Sequence, residues 1–137
     1  MPDPSAVIER LRRTTDSIVG EADLRERLAS GRPLRIKYGV DCTAPFLHLG
    51  HAVNLWMMRQ LQDLGHQVVF LLGDLTTRIG DPTGRSETRP ILTPAEIDAN
   101  AAAFVEQVGL VLRTSPDVFE VRRNSEWFSV IRVISYD

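Results

Sequence analysis

Cysteine and lysine are almost missing from this 137-residue chain, which has one of each, Cys42 and Lys37. A single cysteine excludes an internal disulfide and suits a reducing compartment, so the expected location is the cytoplasm. A run of about 18 apolar residues is also lacking, which excludes a hydrophobic membrane helix. The first residues, MPDPSAVIERLRR, place charge ahead of any long apolar stretch and do not read as a secretory signal. An excess of positive charge is lacking too. The net charge is −2, and the only basic doublets are Arg12-Arg13 and Arg122-Arg123. Nucleic-acid-binding domains are usually basic on one face, so the totals give no support to RNA binding by this piece alone. What is present is ordinary for a folded domain: 43% hydrophobic and 25% charged residues, enough for one core.

The chain reads as helices followed by alternating strands and helices. Apolar spacing predicts a helix over 5–18 and a second over 22–30, stopped by Gly31. LRIKYGV, 34–40, alternates and is rich in β-formers, which predicts a strand. A helix is expected over 49–64, ended by Gly65. The continuous apolar run HQVVFLLG, 66–73, reads as a strand buried on both faces. Residues 74–90, with Gly80, Pro82, Gly84 and Pro90, read as a loop. Thr93-Pro94-Ala95-Glu96 is a capping box opening a helix to about 112. VFEVRR, 118–123, is a third strand, and NSEW caps a short turn or helix.

This order predicts an α/β fold with a parallel sheet and right-handed crossovers. The expected organisation is N-terminal helices over 1–33, then a partial Rossmann-like domain over 34–137. Ligands in such sheets sit beyond the carboxyl ends of the strands. Three loops begin there, 41–48, 74–90 and 124–127, and they hold the chain's unusual polar residues.

One of these loops ends in FLHLGH, residues 46–51, with two of the chain's three histidines. As a zinc site it has little support, because Cys42 is the only thiol and no His-x-x-x-His spacing occurs. No nucleophile elbow accompanies it either. Two readings remain: polar residues on a helix's first turn, or phosphate binding where a strand turns into a helix. In the second, backbone N–H groups and the helix dipole favour an anion. His48 and His51, three apart, can then share one surface, Gly50 permits close approach, and Thr43 adds a hydroxyl. Such donors suit nucleotidyl transfer, in which the protein positions groups and stabilises charge. Leu55, Trp56, Met57 and Met58 are assigned to packing.

CTAPFLHLGH resembles the HIGH signature of class I aminoacyl-tRNA synthetases, a signature shared with other nucleotidyltransferases. GDLTTRIGDPTGRSETRPILT, 73–93, and VRRNSEWFS, 121–129, are similar to the corresponding segments of bacterial tyrosyl-tRNA synthetases. LRIKYGVD resembles their second subtype. The likeness covers about 20–129. It implies activation of tyrosine by ATP, with Mg2+ arriving on the ATP, release of pyrophosphate, and transfer to tRNA by a homodimeric enzyme. It also implies residue roles. Thr43 and His48 match the pair that contacts the γ-phosphate, and His51 the histidine near the ribose. Gly39 and Asp41 match positions lining the tyrosine and adenylate pocket. Asp81 matches a carboxylate for the substrate ammonium. Arg85 and Arg89 match basic residues of a loop that grips pyrophosphate. Asn124 and Trp127 match walls of the same pocket. No metal site is implied in the protein itself. The alternatives are another HIGH-type nucleotidyltransferase and a non-catalytic nucleotide-binding fragment.

Two departures stand out. Cys42 stands where the family usually has proline, and Phe46 where it often has aspartate. Lys37 being the only lysine, the lysine-rich KMSKS loop of the family's second half has no counterpart here. The sequence therefore reads as a truncated catalytic domain. Its cut sheet edge is expected to make the isolated chain oligomeric or poorly stable.

Overall fold

The computed structural model describes residues 3–79 and 92–128. Its elements are α1 (Pro4–Arg12), α2 (Glu21–Ala29), β1 (Arg35–Asp41), α3 (Leu49–Asp63), β2 (Gln67–Gly73), α4 (Asp74–Ile79), α5 (Pro94–Val108), β3 (Phe119–Arg123) and α6 (Ser125–Phe128). The strands form one parallel sheet in the order β1-β2-β3, with Asp41 opposite Gly73 and Leu72 opposite Arg123. No helix among the described residues is long and apolar enough to cross a membrane.

α1 begins at Pro4, whose missing N–H costs nothing in a first turn. It ends six residues before the expected limit. The hydroxyls of Thr14 and Thr15 both donate to the Leu11 carbonyl, taking up the backbone acceptor that a further turn would use. Ile18, outside the helix, still packs on the core. α2 is bracketed by Gly20 and Gly31, both at positive φ, where glycine avoids a side-chain clash.

β1 alternates as its sequence does. Val40 is buried, Ile36 and Tyr38 pack against the core, and Lys37, Gly39 and Asp41 point the other way. β2 lies between the other two strands. Val68, Phe70 and Leu72 are buried on one face, whereas Val69 and Leu71 are only half-buried on the other. The expectation of burial on both faces thus holds for one face only, because no layer covers the second among the described residues. α3 turns Leu55, Met58 and Leu61 inward. Trp56 departs from its packing assignment: it is 58% exposed, one helical position off the buried face. Gln62, also on α3, is fully buried. Its amide donates to the Arg113 and Val118 carbonyls and accepts from the Arg113 N–H, tying α3 to the segment that leads into β3.

The chain between β2 and α5 departs from the expected loop at its start. Residues 74–79 form α4 immediately after β2, and the Thr76 and Thr77 hydroxyls bond back to the Gly73 carbonyl. The Thr93–Glu96 capping box opens α5 as predicted, but the helix stops at Val108, with Gly109 as its cap.

Candidate functional site

A cavity of about 280 Å³ opens at the carboxyl end of the sheet. Lys37, Gly39 and Asp41 of β1 line it, with Leu71 and Gly73 of β2, Thr76 of α4 and Asn124 after β3. Its polar wall is a chain of hydrogen bonds. The Asn124 amide donates to Thr76 Oγ1 at 2.9 Å, and that hydroxyl donates to Asp41 Oδ1 at 2.6 Å. Gly73 is required here by close approach: a Cβ would collide with Asp41 Oδ1 and lie 2.5 Å from Thr76 Oγ1. The result is a cavity that a hydrogen-bonded carboxylate and the Lys37 side chain both line.

The two segments after β2 and β3 hold each other. Asn124 is buried, and its Oδ1 accepts from the Leu75 N–H at 2.9 Å. Asp74 returns the arrangement, accepting from the Ser125 N–H at 3.0 Å and the Ser125 hydroxyl at 2.7 Å. Burial alone would raise the Asp74 pKa. The hydrogen bonds from Ser125 and Leu75, with help from Arg123, outweigh it and hold the carboxyl below its usual range.

The histidine pair sits at the start of α3, on the segment that leaves the same strand. His48 is the N-cap, and His51 completes a reciprocal capping box. His48 Nδ1 accepts from the Gly50 N–H at 3.1 Å, and His51 Nδ1 accepts from the His48 N–H at 3.2 Å. With both Nδ1 atoms accepting, each neutral ring carries its proton on Nε2. The rings stand 4.0 Å apart, so two N–H donors lie side by side at a helix N-terminus. Burial, then the neighbouring His48, push the His51 pKa below its ordinary value, which favours the neutral donor. Gly50 has a local role beyond that expected: a Cβ would lie 3.0 Å from His48 Cε1, crowding the capping ring.

Of the residues singled out by sequence, Gly39, Asp41 and Asn124 share the cavity. Thr43, His48, Gly50 and His51 follow it on the next segment without lining it, and the Thr43 N–H donates to the Asp41 carbonyl. Trp127, on α6, is 38% exposed and does not line the cavity. Asp81, Arg85 and Arg89 lie outside the described residues. Sequence reasoning missed Lys37, Thr76 and Asp74. Strand alternation back from Asp41 and Gly39 was sufficient to find Lys37. Thr76 and Asp74 carried no such signal, because their segment read as loop.

Cys42 is fully buried, and burial first, then the Asp74 charge, raise its thiol pKa to about 11. Its backbone is held on both sides. The N–H donates to Thr77 Oγ1 at 2.8 Å, and the carbonyl accepts from the buried Asn100 amide at 2.9 Å. A proline at this position has no N–H to place, so the hydroxyl of Thr77 does here what the ring of proline makes unnecessary.

Compared with known families, residues 29–135 match the class I tRNA synthetases of the W and Y group. The chain belongs to this family. Among individual relatives, the tyrosine–tRNA ligase of Deinococcus radiodurans is 52% identical over 120 residues, covering 88% of the chain and 29% of the relative. That of Thiobacillus denitrificans is 53% identical over 120 residues, covering 88% and 30%. The chain therefore spans less than a third of the length of these relatives. The C-terminally truncated mitochondrial tyrosyl-tRNA synthetase of Aspergillus nidulans superposes with a TM-score of 0.72 at 27% identity, over 93% of this chain and 39% of that one. The tyrosyl-tRNA synthetase of Archaeoglobus fulgidus, at 22% identity and a TM-score of 0.63, shares the fold. The parallel sheet with flanking helices is thus the Rossmann-like arrangement of class I synthetases.

Proposed function

We propose that this chain carries the N-terminal half of the catalytic domain of a tyrosine–tRNA ligase, with part of its tyrosine and ATP site. The full-length enzyme would form tyrosyl-adenylate and pass the tyrosyl group to tRNA. The observation that supports this most is a hydrogen-bonded cavity at the carboxyl end of the sheet, holding Asp41 and Lys37, with a pair of imidazole donors on the segment that follows β1. The substrate carboxylate is ionised at neutral pH and needs no general base. It attacks the α-phosphorus of ATP, and the bond to the bridging oxygen breaks as pyrophosphate leaves with the Mg2+ that accompanied it.

In this reading Gly39, Asp41 and Asn124 line the space for tyrosine and its adenylate, and Lys37 adds a cation at the same wall. His48 and His51 offer Nε2–H donors to the phosphates and ribose, with Gly50 keeping the His48 ring in its capping position. The Thr43 hydroxyl joins His48 on the γ-phosphate. Asp81 takes the substrate ammonium, since a carboxylate is its natural partner. Arg85 and Arg89 hold pyrophosphate, a bidentate task suited to guanidinium groups. Trp127, which does not line the cavity, has its wall role from the family likeness alone. The enzyme would act in the cytoplasm as a homodimer, the second copy and the tRNA being partners of the full-length protein.

Tyrosine-dependent exchange of pyrophosphate into ATP tests the proposal. His48→Ala removes a donor that gains strength as charge develops, and is expected to slow exchange about 100-fold or more. Exchange that follows another acid and not tyrosine would overturn the assigned specificity. Exchange unaffected by His48→Ala would overturn the role of the histidine.

A further inference from the structure

We propose that Asp74, which does not line the cavity, is a positioning residue that locks the segments after β1, β2 and β3 into one unit. Its carboxylate is nearly buried and reaches two of those segments directly. Oδ1 accepts from the Leu75 and Ser125 N–H groups, both at 3.0 Å, and Oδ2 accepts from the Ser125 hydroxyl at 2.7 Å. Fixing Ser125 fixes its neighbour Asn124, whose side chain bonds Leu75 N–H and the Thr76 hydroxyl, both at 2.9 Å. The third segment is then held twice from α4. Thr76 Oγ1 donates to Asp41 Oδ1 at 2.6 Å, and Thr77 Oγ1 accepts from the Cys42 N–H at 2.8 Å. One carboxylate therefore bears on the aim of Asp41 through two short helices: α4, which also packs on α5, and α6, which Glu126 also ties to Arg122 and to the Arg123 N–H. That this shapes a tyrosine site rests on the function proposed above; the coupling itself does not.

The competing account is a local helix cap that stabilises only its own contacts. The Cys42 amide separates the two, because Asp74 does not touch it. Amide hydrogen exchange would be followed by NMR in the unaltered chain, Asp74→Ala, Asp74→Asn and Ser125→Ala. In Asp74→Ala, exchange at Cys42 is expected to quicken about tenfold, together with Leu75 and Ser125. Asparagine keeps the Oδ1 acceptor and can donate to the Ser125 hydroxyl, so Asp74→Asn should stay within about threefold of the unaltered chain. Ser125→Ala removes one bond and should quicken Cys42 exchange by about threefold, which keeps the test decisive if Asp74→Ala fails to fold. Cys42 exchange unchanged in Asp74→Ala and Ser125→Ala would overturn the proposal. So would an Asn variant as damaged as the Ala one. Tyrosine titrated into the same samples separates the functional reading: no binding by the unaltered chain counts against that reading, while Cys42 exchange still decides the coupling.

Discussion

Deleting one hydroxyl, in Thr77→Ala, is expected to destabilise this chain by more than the size of the change suggests. Thr77 Oγ1 is the partner of the Cys42 N–H, and Cys42 has no exposed surface through which water could replace it. A buried donor left without a partner costs about 1–3 kcal/mol. The same hydroxyl also donates to the Gly73 carbonyl at 2.6 Å, but a carbonyl that loses one donor is less costly than a buried N–H left without any acceptor. The orphaned N–H therefore dominates. Cys42→Pro removes that N–H altogether. In the proline background, Thr77→Ala should cost only the weaker Gly73 contact, about 0.5 kcal/mol. Urea unfolding of the four chains, compared at equal m values, gives the coupling, which is expected at about 1–3 kcal/mol. The background cost of introducing proline cancels in this cycle. Equal effects of Thr77→Ala in both backgrounds would refute the reasoning and leave the Cys42–Thr77 contact as mere proximity.

The remaining expectations use other parts of the site. The buried Cys42 thiol, with its pKa raised to about 11, should resist a disulfide reagent in the native chain at pH 8 and react once urea unfolds it; prompt native labelling would contradict its burial. His51 and the fully buried His66 both titrate below the ordinary 6.5, His66 because of its burial. The unfolded chain therefore takes up protons first, and stability should start to fall as pH drops through about 6.5 and continue toward the lower folded values. A melting temperature flat between pH 7 and 5 would argue against this. Gly73→Ala forces a methyl group onto Asp41 and Thr76 and is expected to cost about 1–3 kcal/mol and to distort the cavity. Calorimetric stability equal to that of the unaltered chain would show that the contact relaxes freely.

Much of the fold was legible because its signals are local. The Thr93–Glu96 box needs only four residues to act, and it opens α5 where expected. Gly31 and Gly65 end their helices at positive φ for reasons internal to each turn. The alternation of β1 and the apolar run of β2 likewise place their strands. Apart from the early end of α1, which Thr14 and Thr15 cause locally, misreadings fall where distant residues intervene. Residues 74–79 look like the start of a loop because Asp74 and two threonines are poor helix formers. They become α4 when Asn124, 49 residues further on, takes the Leu75 N–H. Trp56 fits an apolar helix by composition, yet only the docking of α3 decides that Leu55 and Met58 face inward while Trp56 faces out.

Spacing along the chain was enough to give the three strands, the longer helices, the Thr93–Glu96 cap and the family, but not α4 or the reciprocal cap of His48 and His51. The tertiary structure decided which side chains act together. Parallel register puts Asp41 opposite Gly73, where the absence of a side chain lets the carboxylate reach Thr76. The histidines and the Asp41 cavity, which the sequence grouped as one feature, become two adjoining stations: a pair of imidazole donors locked by their own backbone, and a hydrogen-bonded carboxylate on the strand before them. No spacing rule contains that separation, because it depends on how three chain segments meet at the end of a sheet.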